Sequence, residues 1–198
     1  MSRIRIDTAV HLCLDMQRLF SPGNVWATPW MERVLPKVIQ LCEAFGRRNV
    51  FTRFIPPLTA EEAAGMWRAF YLKWREVTRA ELDPGLLEIV PELQNFASSA
   101  LVFDKSSYSS FHDGHLHRLL RERGVDTLIV SGAETDICVL STVLDAVDHG
   151  YRVILVEDAL CSSSDTGHDA LMTMYRTRLG VQIQIAATAE ILEHVGRG

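Results

Sequence analysis

The sequence lacks any long hydrophobic run. No stretch approaches the roughly 18–20 consecutive apolar residues that a membrane-spanning helix needs, so no membrane partner is expected. The opening MSRIRIDTAV has two arginines but neither an apolar core nor a small-residue cleavage site. It is read as no signal peptide, and a cytoplasmic location is expected. Cysteine is sparse. The four residues, Cys13, Cys42, Cys138 and Cys161, are scattered, with no CxxC and no Cys/His pairing at zinc spacing. That excludes a disulfide scaffold and a zinc ribbon, and leaves free thiols as the expectation. Positive charge is not in excess: Lys plus Arg is 20 against 25 Asp plus Glu, for a net −5. A mildly acidic chain is not built for the phosphate backbone, so no nucleic-acid partner is expected. No GxGxxG follows the first apolar strand, no GxxxxGK[ST] occurs, and the histidines form no HExxH. These absences remove the dinucleotide fingerprint, the P-loop and the zinc-protease helix.

What is present is an ordinary globular composition in 198 residues, 47% apolar and 23% charged. That length supports one sizeable core and not two comfortable domains, so a single domain over 1–198 is expected. No repeat, low-complexity tract or linker divides it. Strand-like runs alternate with helical spacing. The strands read as 9–14, 49–53, 101–103, 127–130, 152–156 and 181–185. The helices read as 31–48, 60–79, 116–123, 138–149 and 169–179, with a last one beginning at Thr188. Continuous apolar strands alternating with helices predict a three-layer α/β, Rossmann-like fold: a six-stranded, mainly parallel sheet covered by helices on both faces. The segment 60–79, with Trp67, Phe70, Tyr71 and Trp74, departs most from the alternation. It is a cover for a site or an oligomer interface.

Ligands of open α/β sheets bind beyond the carboxyl ends of the strands. Polar residues leaving those ends are Asp15 and Gln17, Arg53, Asp104 and Lys105, the loop Ser131–Cys138, and Glu157 with Asp158. An acid, a lysine and a cysteine thus reach one edge from three strands. Cys138 at the start of a helix would have its thiol pKa lowered by the orphan N–H groups, and further by Lys105. Asp15 would take the thiol proton and return it to a leaving amine. Each residue also has a plainer reading: Asp15 as a turn cap, Lys105 as a solvated lysine, Cys138 as a small buried hydrophobe. Arg53 would anchor a substrate carboxylate or pair with a local acid. Thr135 and Asp136 read as caps, and Asp145 and Asp148 as a solvated helix face. His112, His115 and His117 are expected to face solvent, and Cys13, Cys42 and Cys161 to be structural.

LDMQ at 14–17, FTR at 51–53, DKSSYSSF at 104–111, SGAETDICV at 131–139 and TVLDAVDHGYRVILVEDA at 142–159 carry a resemblance over nearly the whole chain. The sequence resembles the isochorismatase-like cysteine hydrolases, in the branch with nicotinamidase and N-carbamoylsarcosine amidase. The resemblance implies a triad of Asp15, Lys105 and Cys138 and a thioester on Cys138. It also implies a cis peptide at Ala133–Glu134, an oxyanion hole from the N–H groups of Glu134 and Cys138, and a homo-oligomer. Two departures matter. Nicotinamidases carry an Asp-x-His metal motif after the second strand, where this chain reads Arg53-Phe54-Ile55-Pro56-Pro57. Isochorismatases proper lack the cysteine that Cys138 supplies. The expectation is therefore a hydrolase needing no metal and no organic cofactor, cleaving a C–N bond of a small amide, ureide or carbamoyl substrate. Phe20, Arg53, Phe54, Trp67, Tyr108 and Phe111 are the candidate substrate-binding residues. The rivals are isochorismatase-type or ester hydrolysis on the same site, a non-catalytic binding or scaffold module, and a redox sensor.

Overall fold

The structure, a computed structural model, describes residues 4–195. Six strands form one sheet: β1 Ala9–Leu14, β2 Asn49–Phe54, β3 Leu101–Lys105, β4 Thr127–Ala133, β5 Arg152–Cys161 and β6 Ile183–Ala186. Their order is β3-β2-β1-β4-β5-β6, and every neighbouring pair is parallel, so the sheet is all-parallel rather than mainly so. The order reverses between β1 and β4. A crevice opens at such a reversal because the connections leave to opposite sides.

Alternation along the strands sorts the core into two halves. On β1, Val10, Leu12 and Leu14 point to one face, where α4 (His115–Glu122), α5 (Leu140–Asp148) and α6 (Asp165–Thr177) supply Leu116, Leu120, Val143, Met172 and Tyr175. Ala9 and Cys13 point to the other, against α1 (Met31–Phe45), α3 (Pro91–Ala97) and α7 (Thr188–Val195), which supply Val38, Leu41, Leu93 and Ile191. Cys13 and Cys42 are both fully buried there. His11 is buried too, its ring nitrogens 2.7 Å from Asn49 Oδ1 and 2.7 Å from Ser131 Oγ. Burial pulls its pKa down to about 4.

The strands run longer than the sequence reading at their carboxyl ends, because polar residues there still pair with neighbours. Asp104 and Lys105 align with Arg53 and Phe54. Within β4 the register shifts: Val130 faces Leu155, but Gly132 faces Leu160. Gly132 has φ +106°, and a Cβ there would meet Leu14 O at 2.1 Å, so only glycine lets β4 pass this close to the end of β1. The segment 60–79 is not one helix. Its continuous helical stretch is α2, Met66–Lys73, with 3-10 turns at Ala60–Glu62 and Arg75–Val77. Gly65, at φ +53°, separates the first turn from α2, a conformation a helix interior does not accept. Residues 138–149 also divide. Thr135–Val139 forms one wide π-type turn, and α5 begins only at Leu140. Among the described residues no helix is long and apolar enough to cross a membrane.

Candidate active site

Asp15 follows β1 with φ +49°, a left-handed conformation unusual for a non-glycine residue. It turns the chain at the sheet reversal, and its carboxylate is wholly buried. Thr52 Oγ1, on β2, donates to Asp15 Oδ1 at 2.6 Å and accepts from the Asp15 N–H at 3.2 Å. Asp15 Oδ2 faces Lys105 Nζ at 2.7 Å, and the lysine side chain is 2% exposed. Lys105 Nζ donates to Ser107 O and Tyr108 O, each at 3.1 Å. The ammonium is thus fixed by two carbonyls and one carboxylate, and lies 5.1 Å from the Phe54 ring centroid. Burial works against its charge. The Asp15 carboxylate and the Cys138 sulfur outweigh that burial, so the Lys105 pKa ends above its ordinary value.

Cys138 is brought to the same place from β4 and is 5% exposed. It lies inside the π-type turn rather than at a helix start, and the Ala133–Glu134 peptide before that turn is cis. Its thiol is not acidified, contrary to the sequence reading. Burial pushes its pKa well up, the Asp15 carboxylate adds to the rise, and Lys105 only partly opposes them. A thiol taken out of water beside an anion holds its proton.

Cys138 opens onto a cavity of about 320 Å³ lined by Phe20, Trp26, Phe54, Phe70, Trp74, Tyr108, Glu134, Ile137 and Ser163. Its walls pack around Trp26, whose ring lies 5.8–6.4 Å from those of Phe20, Phe54, Phe70 and Trp74. Glu134 lines this cavity and its carboxyl is held by Ser163, which lines it too. Its Oε2 accepts from Ser163 N at 3.0 Å and from Ser163 Oγ. Burial raises the Glu134 pKa against the pull of those two bonds. Gln17 holds the Phe54 wall in place. Its Nε2 donates to Phe54 O at 3.1 Å and Leu87 O at 2.8 Å, and its Oε1 accepts from the Phe54 N–H at 2.6 Å.

Of the candidate substrate-binding residues, Phe20, Phe54 and Tyr108 line the Cys138 cavity and three do not. Phe111 is buried on the other face of the sheet, stacked on Tyr151 at 5.7 Å. The turn after Lys105 directs it under the sheet, with Ser109 Oγ accepting its N–H. Arg53 is held by carboxylates, with Nε and Nη2 on Asp104 at 2.8 and 3.0 Å and Nη1 on Glu88 at 3.0 Å. Trp67 backs the wall, 4.7 Å from Tyr108, and lines a second cavity of about 550 Å³ with Lys105, Arg79, Asp104 and His112. Asp145 is not merely solvated, since Ser109 Oγ donates to it. His117 stacks on His149 at 4.0 Å and meets Tyr151 Oη at 3.1 Å.

Thr52, Trp26, Ser163 and the Glu134 side chain are additions to the sequence reading, while Phe70 and Trp74 come from the 60–79 segment it read as a cover. Ser163 follows β5, so the strand-end rule reaches it. Trp26 lies in an irregular loop where no periodicity marks it. The stretch after β2 offers no metal ligand set, and among the described residues no group of three or more His, Cys, Asp or Glu is placed to hold a metal ion. The residues present do not fit the metal of nicotinamidases.

Comparison with known proteins agrees with this architecture. The isochorismatase domain model matches residues 9–187. An uncharacterised isochorismatase-family protein of Bacillus subtilis is 28% identical over 174 residues, covering 82% of this chain and 84% of that protein. The maleamate amidohydrolase of Pseudomonas putida is 27% identical over 177 residues, 89% of this chain and 79% of that enzyme. The crystal structure of a cysteine hydrolase from Pseudomonas syringae pv. phaseolicola superposes with a TM-score of 0.83 at 23% identity, over 99% of this chain and 96% of that one. The chain belongs to the isochorismatase family of hydrolases.

Proposed function

We propose that this protein is a metal-independent cysteine amidohydrolase. It would cleave a C–N bond of a small amide, ureide or carbamoyl compound through a thioester on Cys138. The observation that carries the reading is the buried Asp15–Lys105 pair brought beside the buried Cys138 thiol at the sheet reversal. The similarity to an amidohydrolase supports the choice of bond.

The raised thiol pKa shapes the mechanism. Attack does not start from a standing thiolate. Cys138 Sγ forms its bond to the substrate carbon as its proton passes to Asp15 Oδ2, the carboxylate oxygen that Thr52 leaves free. The N–H groups of Glu134 and Cys138 hold the resulting oxyanion. The C–N bond then breaks as Asp15 returns the proton to the leaving nitrogen. Water attacks the thioester carbon, Asp15 takes its proton, and the C–S bond breaks with that proton restored to sulfur. Lys105 stays charged throughout and holds Asp15 Oδ2 in place between transfers.

The test is ammonia release from a panel of small amides and ureides, by wild type and Cys138→Ala, with and without chelator. The expected result is turnover that survives chelation and falls by at least about a thousandfold in the variant. Equal turnover in both proteins removes Cys138 as nucleophile. Ester turnover without ammonia release moves the reaction to an ester on the same site.

A further inference from the structure

The Cys138 cavity has an unusual chemical balance. Six aromatic residues line it, and the acidic residue in its lining is Glu134. The charges beneath it cancel, because Lys105 and Asp15 pair at 2.7 Å. Arg53, the candidate anchor for a substrate anion, is committed to Asp104 and Glu88 and does not line the cavity. Both bonds that Glu134 accepts from Ser163 fall on Oε2, which orients the carboxyl and leaves Oε1 out of that contact. Lys73 Nζ sits 5.2 Å from the Trp74 ring centroid, so one ring of the wall already attracts a cation of this chain. Aromatic faces attract cations electrostatically, more strongly where water is excluded, and a carboxylate adds a full charge to that attraction.

We infer that the cavity selects a substrate bearing a cationic group, an ammonium or alkylated ammonium seated between the aromatic wall and Glu134, with its amide carbon presented to Cys138. The assignment of an amide carbon rests on the amidohydrolase reading. The cation site does not depend on it. A cavity of about 320 Å³ suits a compact ammonium compound rather than a long chain. An anionic substrate would meet Glu134 with no cation in the cavity to receive it.

Two pairs of probes test the inference. Choline and 3,3-dimethyl-1-butanol differ by a quaternary nitrogen in place of a carbon, and their binding is read from tryptophan fluorescence, since Trp26 and Trp74 line the cavity. Wild type is expected to bind choline at least about tenfold tighter than the alcohol. Glu134→Gln is expected to remove most of that ratio. The ratio of the two probes on wild type is decisive even if the variant does not fold. Equal or tighter binding of the alcohol, tighter binding of 3,3-dimethylbutanoate, or a choline preference untouched in Glu134→Gln overturns the cation site. In the second pair, betaine amide is expected to exceed 3,3-dimethylbutanamide about tenfold in kcat/KM. Choline binding with turnover of neither amide would remove the amidase reading and leave the cation site standing. Turnover favouring the neutral amide would do the reverse.

Discussion

Asp104 and Lys105 are consecutive on β3, so their side chains leave opposite faces of the strand, and each joins a cluster of opposite charge. On one side Asp104 pairs with Arg53, which also reaches Glu88. The arginine side chain is 22% exposed and the two acids 50% and 54%. On the other side Lys105 pairs with Asp15, at 2% and 0% exposure. Between its charged partners the outer cluster has three hydrogen bonds, two of them bidentate on Asp104, against one in the inner pair, yet water can replace all three. The inner pair has no water to fall back on. Exposed ion pairs contribute about 0–1 kcal/mol, whereas removing one partner of a buried pair costs about 3–5 kcal/mol because the other charge is stranded. A count of contacts therefore ranks the two clusters in the wrong order. Burial ranks them correctly, and the chemistry sits where the charges are most expensive.

The largest effect follows from stranding the inner acid. Lys105→Met leaves the buried Asp15 carboxyl without its counter-charge, so urea unfolding at neutral pH should show a loss of about 3–5 kcal/mol. Activity should vanish with it. Adding Asp15→Asn removes the stranded charge, and the double variant should recover most of the stability and none of the activity. Recovery of both would mean that the pair is structural only. If the single variant lost less than about 1 kcal/mol, water would be reaching the pair and the contrast with the outer cluster would fail.

A smaller effect tests how the inner pair is aimed. Thr52 Oγ1 donates to Asp15 Oδ1 at 2.6 Å, and Thr52 does not line the cavity. Thr52→Val keeps the shape and removes the donor, at a cost of about 1–3 kcal/mol for an unsatisfied buried acceptor. As a positioning residue it should lower kcat roughly tenfold and leave KM unchanged, with Thr52→Ser restoring most of kcat. A rise in KM with constant kcat would instead place Thr52 in substrate binding.

The sequence made the inner cluster legible and the outer one ambiguous, for a physical reason. Lys105 ends β3, Asp15 follows β1 and Cys138 lies in the turn just beyond β4, and a parallel sheet gathers such ends at one edge. Arg53 ends a strand too, but its partner depends on register: β2 and β3 align Arg53 with Asp104, and no pattern in either strand announces that. Phe111 and Phe54 look alike as aromatics near a strand end. Phe54 extends β2 into the cavity wall, while Phe111 lies in an irregular turn that carries it beneath the sheet. The Cys138 thiol illustrates a different gap. Its charged neighbours were visible in the sequence, but its burial was not, and burial is the larger influence. The Trp-rich segment was visible as an anomaly, yet its role as a wall depends on Trp26 arriving from a separate loop.

The smallest effect belongs to the outer cluster. Arg53→Met removes every bond to Asp104 and Glu88, but all three groups can turn to water. The expected loss is at most about 1 kcal/mol, towards the upper end because the Asp104 contact is bidentate. In 1 M salt, where the screening length falls to about 3 Å, the difference between wild type and Arg53→Met should shrink further, while that between wild type and Lys105→Met should hardly change. Turnover of a neutral or cationic amide should stay within about twofold, because Arg53 does not line the Cys138 cavity. An increase in KM of fivefold or more, confined to substrates with a carboxylate, would mean that Arg53 leaves Asp104 when substrate binds. It would then be an anchor after all, and the cavity would read an anion at that end. Unchanged KM across charge types would fix the outer cluster as a brace that joins the ends of β2 and β3 and holds Lys105 in register beside Asp15.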